Sequence, residues 1–105
     1  MKYVRLFEEL AQPEYTYYPD GQVQTKWWYL DGLLHREDGP AWIRYYPDGQ
    51  VKQEGWWLDG QRHREDGPAG ITYYPNGQVQ TELWWFEGQQ YTDPQLFRLA
   101  VRGLR

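Results

Sequence analysis

Between residues 17 and 90 the chain repeats one order of apolar and polar positions. The second copy shows it most fully. Ala41-Trp42-Ile43-Arg44-Tyr45-Tyr46 is rich in aromatic and branched residues and reads as a strand. Pro47-Asp48-Gly49-Gln50 reads as a turn, because Pro pre-sets φ and Gly accepts positive φ after Asp. Val51 to Leu58 forms a return strand, Asp59-Gly60 a hairpin-type turn, and Gly67-Pro68 closes the unit after Gln61 to Asp66. Along the return strand, Lys52, Glu54, Trp56 and Leu58 share one face; Val51, Gln53, Gly55 and Trp57 share the other.

The copies are in strict register. Tyr17, Tyr45 and Tyr73 each begin Tyr-Tyr-Pro-Asp/Asn-Gly-Gln-Val, a step of 28 residues. Trp28, Trp56 and Trp84 superpose, as do Leu30, Leu58 and Phe86, and Gly32, Gly60 and Gly88. The frame therefore divides one domain of 105 residues into an N-terminal cap at 1–16, repeats at 17–44, 45–72 and 73–90, and a C-terminal helical cap at 91–105. Asp93-Pro94 reads as a helix N-cap with Pro at the first position. Leu96, Phe97, Leu99, Ala100 and Val101 then give a short amphipathic helix that ends before Gly103. Val4, Leu6, Phe7 and Leu10 permit a short helix or a strand. The expected fold is all-β: tandem antiparallel hairpins in one elongated twisted sheet, capped by that helix.

Composition narrows the chemistry. The chain has no cysteine and no serine, so neither a disulfide, a thiolate–metal site nor a serine nucleophile is available. A formal charge of −4 argues against nucleic acid as a partner. Glu8 and Glu9 fall where an export signal needs an apolar core, and no apolar run approaches a membrane span, so a cytoplasmic protein is expected. Aromatic residues make up 19% of the chain, with seven Trp and ten Tyr, so the core is built from rings.

The order Tyr-Pro-Asp-Gly, a Trp-bearing strand, Asp-Gly-x-x-His and Gly-Pro-Ala resembles MORN repeats over residues 17–90. It is closer to the bacterial and phage variant of that repeat, in which turns of the HREDGPA type recur. It departs from the common pattern in its longer unit and in Arg36 and Arg64, where Gly usually follows His. The resemblance implies successive hairpins in an extended sheet and a binding or scaffolding role. It also implies, for a free-standing chain of this size, an inhibitor: a phage anti-defence factor such as an anti-CRISPR, or an antitoxin-like protein.

Two sets of residues compete as sites. HREDGPA occurs at 35–41 and 63–69. His35, Asp38, His63 and Asp66 could in principle ligate a metal or act as acid and base. However, the motif recurs in successive units and is replaced by Tyr91-Thr92-Asp93-Pro94-Gln95 in the unit with no successor. These four residues are therefore read as joints between repeats, in which the carboxylate accepts backbone N–H groups and His packs or bonds between hairpins. No catalytic residue, metal or cofactor is expected, and the protein is read as non-enzymatic. The second set is aromatic. Trp28, Trp56 and Trp84 form the expected core stripe, while Trp27, Tyr29, Trp42, Trp57 and Trp85 fall on the other side of the strands. Those five are the expected partner-binding residues, for a protein partner or, as the alternative, a nucleotide or sugar. The terminal hairpin edges or the helix face offer surfaces for a homodimer.

Overall fold

The computed structural model describes residues 13–103; the apolar pattern of Val4, Leu6, Phe7 and Leu10, and Arg105, lie outside the described residues. Each unit contributes a major hairpin and a minor one. The major hairpins are β1 (Glu14–Tyr17) with β2 (Val23–Trp27), β5 (Trp42–Tyr45) with β6 (Val51–Gly55), and β9 (Gly70–Tyr73) with the first part of β10 (Val79–Phe86). The minor hairpins are β3 (Tyr29–Leu30) with β4 (Leu33–Leu34), β7 (Trp57–Leu58) with β8 (Gln61–Arg62), and the end of β10 with β11 (Gln89–Tyr91). The helix α1 spans Pro94–Val101.

The major hairpins join edge to edge in the order β1-β2-β5-β6-β9-β10-β11, antiparallel throughout. The molecule measures 49 × 37 × 16 Å. The seven strands form one continuous sheet, with the minor hairpins as a second row. Strand β1 starts at Glu14, within the stretch that the sequence frame assigns to the N-terminal cap.

Local chemistry sets the turns. At the tip of each major hairpin Gly21, Gly49 and Gly77 adopt φ of 92°, 92° and 89°. The side chain two residues before Gln22, Gln50 or Gln78 accepts that glutamine's backbone N–H, at 3.0, 3.0 and 2.9 Å. Asn76 does this as well as Asp20 and Asp48, so the one change in the turn sequence leaves its geometry intact.

The return strands depart from the continuous run read in the sequence. In the first two units the ladder breaks at Trp28 and Trp56, whose N–H groups donate to the carbonyls of Ala41 and Ala69, just before the next major hairpin, at 2.9 and 2.7 Å. The chain steps there from the major row into the minor hairpin. The third unit has no successor, and β10 runs unbroken through Trp84.

The core is also placed differently. Trp28, Trp56 and Trp84 are half-buried, because a single layer has no second sheet to cover them. Among the described residues full burial falls on Ala41, Ile43 and Ala69 in the sheet and on Phe86, Phe97 and Ala100 at the C-terminal end. There α1 packs Phe97 and Ala100 on Phe86, beside Trp84, Tyr91 and Val101. Asp93 caps α1 by accepting the Gln95 N–H at 2.9 Å. Leu96 and Leu99 of the same helix face solvent.

Candidate functional site

Each residue of HREDGPA has a defined structural partner. His35 is buried, and its Nδ1 accepts the backbone N–H of Asp59 in the next unit at 2.9 Å. His63 does the same for Glu87 at 3.0 Å. Asp59 and Glu87 open the minor-hairpin turns with φ of 50° and 51°, a left-handed conformation that costs a side-chain-bearing residue on the order of 1–2 kcal/mol. The histidine thus fixes the neighbour's strained residue. His35 Nδ1 also lies 3.4 Å from Asp59 Oδ1. A ring nitrogen that accepts an N–H carries no proton, so this is a neutral imidazole and not an ion pair.

Arg36 folds back over its own unit. Its guanidinium stacks 3.8 Å from the Trp28 ring centroid, donates from Nε to Asp38 at 2.9 Å and from Nη1 to the Pro40 carbonyl at 3.1 Å. Arg64 repeats this on Trp56 at 3.9 Å, Asp66 at 2.9 Å and Pro68 at 3.0 Å. The carboxylates are therefore engaged by guanidinium rather than by the backbone N–H groups expected from the sequence. Gly39 and Gly67 leave room for the fold-back: a Cβ there would sit 3.0 and 2.9 Å from the guanidinium carbon. Ala41 and Ala69 are fully buried beneath.

The two motifs face each other across a cleft of about 610 Å³ lined by Arg36, Asp38, Trp56, His63, Arg64 and Asp66. Its arginines are already matched to its aspartates, and among the described residues no group of three His, Cys, Asp or Glu could hold a metal ion.

The opposite face is built otherwise. Cross-strand pairing puts Glu14, Trp27, Trp42, Gly55, Gly70 and Leu83 in one row on that face. The minor hairpins add Tyr29 paired with Leu34, Trp57 with Arg62, and Trp85 with Gln90. A cleft of about 410 Å³ opens here, lined by Trp27, Tyr29, Leu34, Trp42, Trp57 and Arg62, with Thr25 at its edge. Four of the five aromatic residues singled out in the sequence thus line one cleft. The fifth, Trp85, stands one unit further on, and the Arg62 guanidinium links it to Trp57, 5.8 and 5.2 Å from the two ring centroids.

Two glycines shape the floor. Gly55 and Gly70 lie directly opposite each other in β6 and β9. A Cβ on Gly55 would come within 3.0 Å of Trp57 Nε1, and one on Gly70 within 2.7 Å of an Arg62 terminal nitrogen. Bare backbone at these two points lets the indole and the guanidinium lie flat on the sheet. Sequence reasoning does not single out Arg62. The available signal is the comparison of copies, in which Leu34, Arg62 and Gln90 occupy one repeat position.

Residues 41–55 and 70–83 match the MORN repeat variant family. The first segment covers the β5–β6 hairpin and the second covers β9 with the start of β10. No curated protein and no solved structure matches the chain. These matched hairpins are MORN-variant repeats, set side by side in one sheet.

Proposed function

We propose that this MORN-like repeat protein is a non-enzymatic protein-binding module that docks through its aromatic face. One observation carries the reading: the aromatic and apolar positions of that face change from copy to copy. They are Trp27/Gly55/Leu83, Tyr29/Trp57/Trp85, Leu34/Arg62/Gln90 and Trp42/Gly70. The opposite face holds the joint positions, which do not change, Trp28/Trp56/Trp84, Arg36/Arg64 and Tyr45/Tyr73, and its changing positions, such as Lys26/Glu54/Glu82, are charged rather than aromatic. A repeat protein needs its joints identical and its binding surface singular. Exposed Tyr29 and the half-buried indoles match the residue types enriched where proteins meet.

Occupying a partner's surface is sufficient for inhibition. In its concrete form the proposal is therefore a cytoplasmic inhibitor, a phage anti-defence factor of the anti-CRISPR kind or an antitoxin-like protein. A second reading, a nucleotide or sugar stacked in the cleft, is supported by the cleft's size and ring lining.

The test is affinity capture from bacterial lysate with three forms of the protein: wild type, Tyr29→Ala/Trp57→Ala, and Lys52→Gln/Glu82→Gln. A stoichiometric protein held by the wild type and by the Lys52/Glu82 control, but lost from the aromatic variant, supports docking through this face. Equal retention by all three sinks it. Quenching of intrinsic fluorescence by a nucleotide or oligosaccharide, with no protein retained, selects the second reading.

A further inference from the structure

We propose that Arg62 is the anion anchor of the aromatic face, receiving an Asp or Glu carboxylate of a partner's docking segment whose apolar neighbour enters the cleft beside it. This rests on the protein-binding reading above and names the chemistry of the segment that fits there.

Among the described residues Arg62 has no carboxylate within ion-pair distance, whereas Arg36 and Arg64 are each matched to an aspartate. It is held rather than free. The guanidinium rests on the bare backbone at Gly70, between the Trp57 and Trp85 rings, in a strand paired with Trp57. Burial lowers its pKa from the ordinary arginine value, the mark of a cation deprived of water without a counter-charge. Cation–π contact with the two rings leaves its N–H fork open, and that fork engages a carboxylate bidentately.

Charge balance on the two faces points the same way. The chain is acidic overall, at −4. On the aromatic face the row two residues along from Trp42 carries Arg44, and the acid in these rows, Glu14, accepts the Trp27 indole N–H at 2.9 Å at the sheet edge. An acidic residue approaching the centre of this face therefore meets cations. One guanidinium within the cleft suits a single carboxylate better than the several charges of a nucleotide, and a chain of −4 repels the latter at long range. The repeat position occupied by Arg62 holds Leu34 and Gln90 in the other copies, so the charge occurs once, beside the cleft.

The experiment uses two capped dipeptides that differ in one group, acetyl-Phe-Asp-amide and acetyl-Phe-Asn-amide. Each is titrated into the ¹⁵N-labelled full chain while the indole N–H and arginine Nε–H resonances are followed. The acid should move the Trp57, Trp85 and Arg62 signals and bind about tenfold more tightly than the amide, the difference a charge-assisted bond makes. Arg62→Gln should abolish that preference and leave the weaker affinity for the amide in place. Gly70→Ala, which lifts the guanidinium off the sheet, should reduce the preference while the protein stays folded. Equal binding of acid and amide overturns the Arg62 proposal but leaves the aromatic face as a docking surface. No shift with either dipeptide overturns both. AMP moving the same signals at lower concentration than the acid assigns the guanidinium to a phosphate ligand and overturns the proposal of a protein carboxylate.

Discussion

Phe97 meets the Trp84 ring edge to face at 4.9 Å, in the place that Arg36 takes over Trp28 and Arg64 over Trp56. The repeated tryptophan is always covered. Where a next unit exists, an arginine of the inter-repeat turn covers it; in the last unit the helix does. The loss of HREDGPA from the third copy is thus a substitution of one cover by another.

That exchange fixes the role of α1. Phe97→Ala removes the largest fully buried side chain among the described residues and uncovers Trp84. It should cost about 3–5 kcal/mol and lower the melting temperature strongly in a thermal scan followed by circular dichroism. Leu96→Ala, on the exposed side of the same helix, should change stability by less than about 0.5 kcal/mol.

The histidines should behave as joints. His35→Ala leaves the Asp59 N–H without its acceptor in a left-handed turn and should cost about 1–3 kcal/mol. His63→Ala acts likewise on Glu87, with a smaller effect because that contact is exposed. For a domain of this size each kcal/mol lowers the melting temperature by about 4–8 °C. Retention of the full melting temperature by both variants would contradict the assignment.

Gly39 and Arg36 should be thermodynamically coupled. Gly39→Ala places a methyl 3.0 Å from the Arg36 guanidinium carbon and displaces it from Trp28, so it should cost about what Arg36→Ala costs, near 1 kcal/mol. In the Arg36→Ala background the glycine substitution should be nearly silent. Additive effects in urea titrations of the four proteins would show that the glycine serves the backbone instead.

Tyr73 gives a pH signature. Burial, and then its hydrogen bond to Glu54, push its pKa up from 10.0 to about 12. The folded-state value lies above the unfolded one, so the neutral phenol's contribution is complete below pH 10 and vanishes as pH rises toward 12. Phenolate absorbance should show a tyrosine titrating near 12 that is missing in Tyr73→Phe and shifts down toward 10 in Glu54→Gln. The stability difference between wild type and Tyr73→Phe should shrink across the same window.

The repeat frame, the hairpins, the helix and its Asp93 cap are legible in the sequence because each rests on local chemistry: a Pro-Asp-Gly turn, an Asp-Pro start, a two-residue alternation. The two faces are legible too, since alternation carries from Lys26 to Trp28 and from Gly55 to Trp57. Contacts that cross between units are not. Nothing local says that Trp56 gives its N–H to Ala69 and so breaks its strand, or that Arg36 rather than another ring covers Trp28. Arg62 is hidden for the same reason: its environment comes from Gly70 and Trp85, supplied by the hairpins that follow it.

The Tyr46 hydroxyl donates to the Tyr73 carbonyl at 2.6 Å, as Tyr18 does to Tyr45 at 2.7 Å, while Tyr74 stands exposed with no successor to reach. These two bonds between units thus run between positions that all copies share. Length and surface are in consequence separately adjustable. A further 28-residue copy spliced in before Tyr73 would find both its sockets ready, and the aromatic face could be rewritten letter by letter without disturbing the hinges of the page.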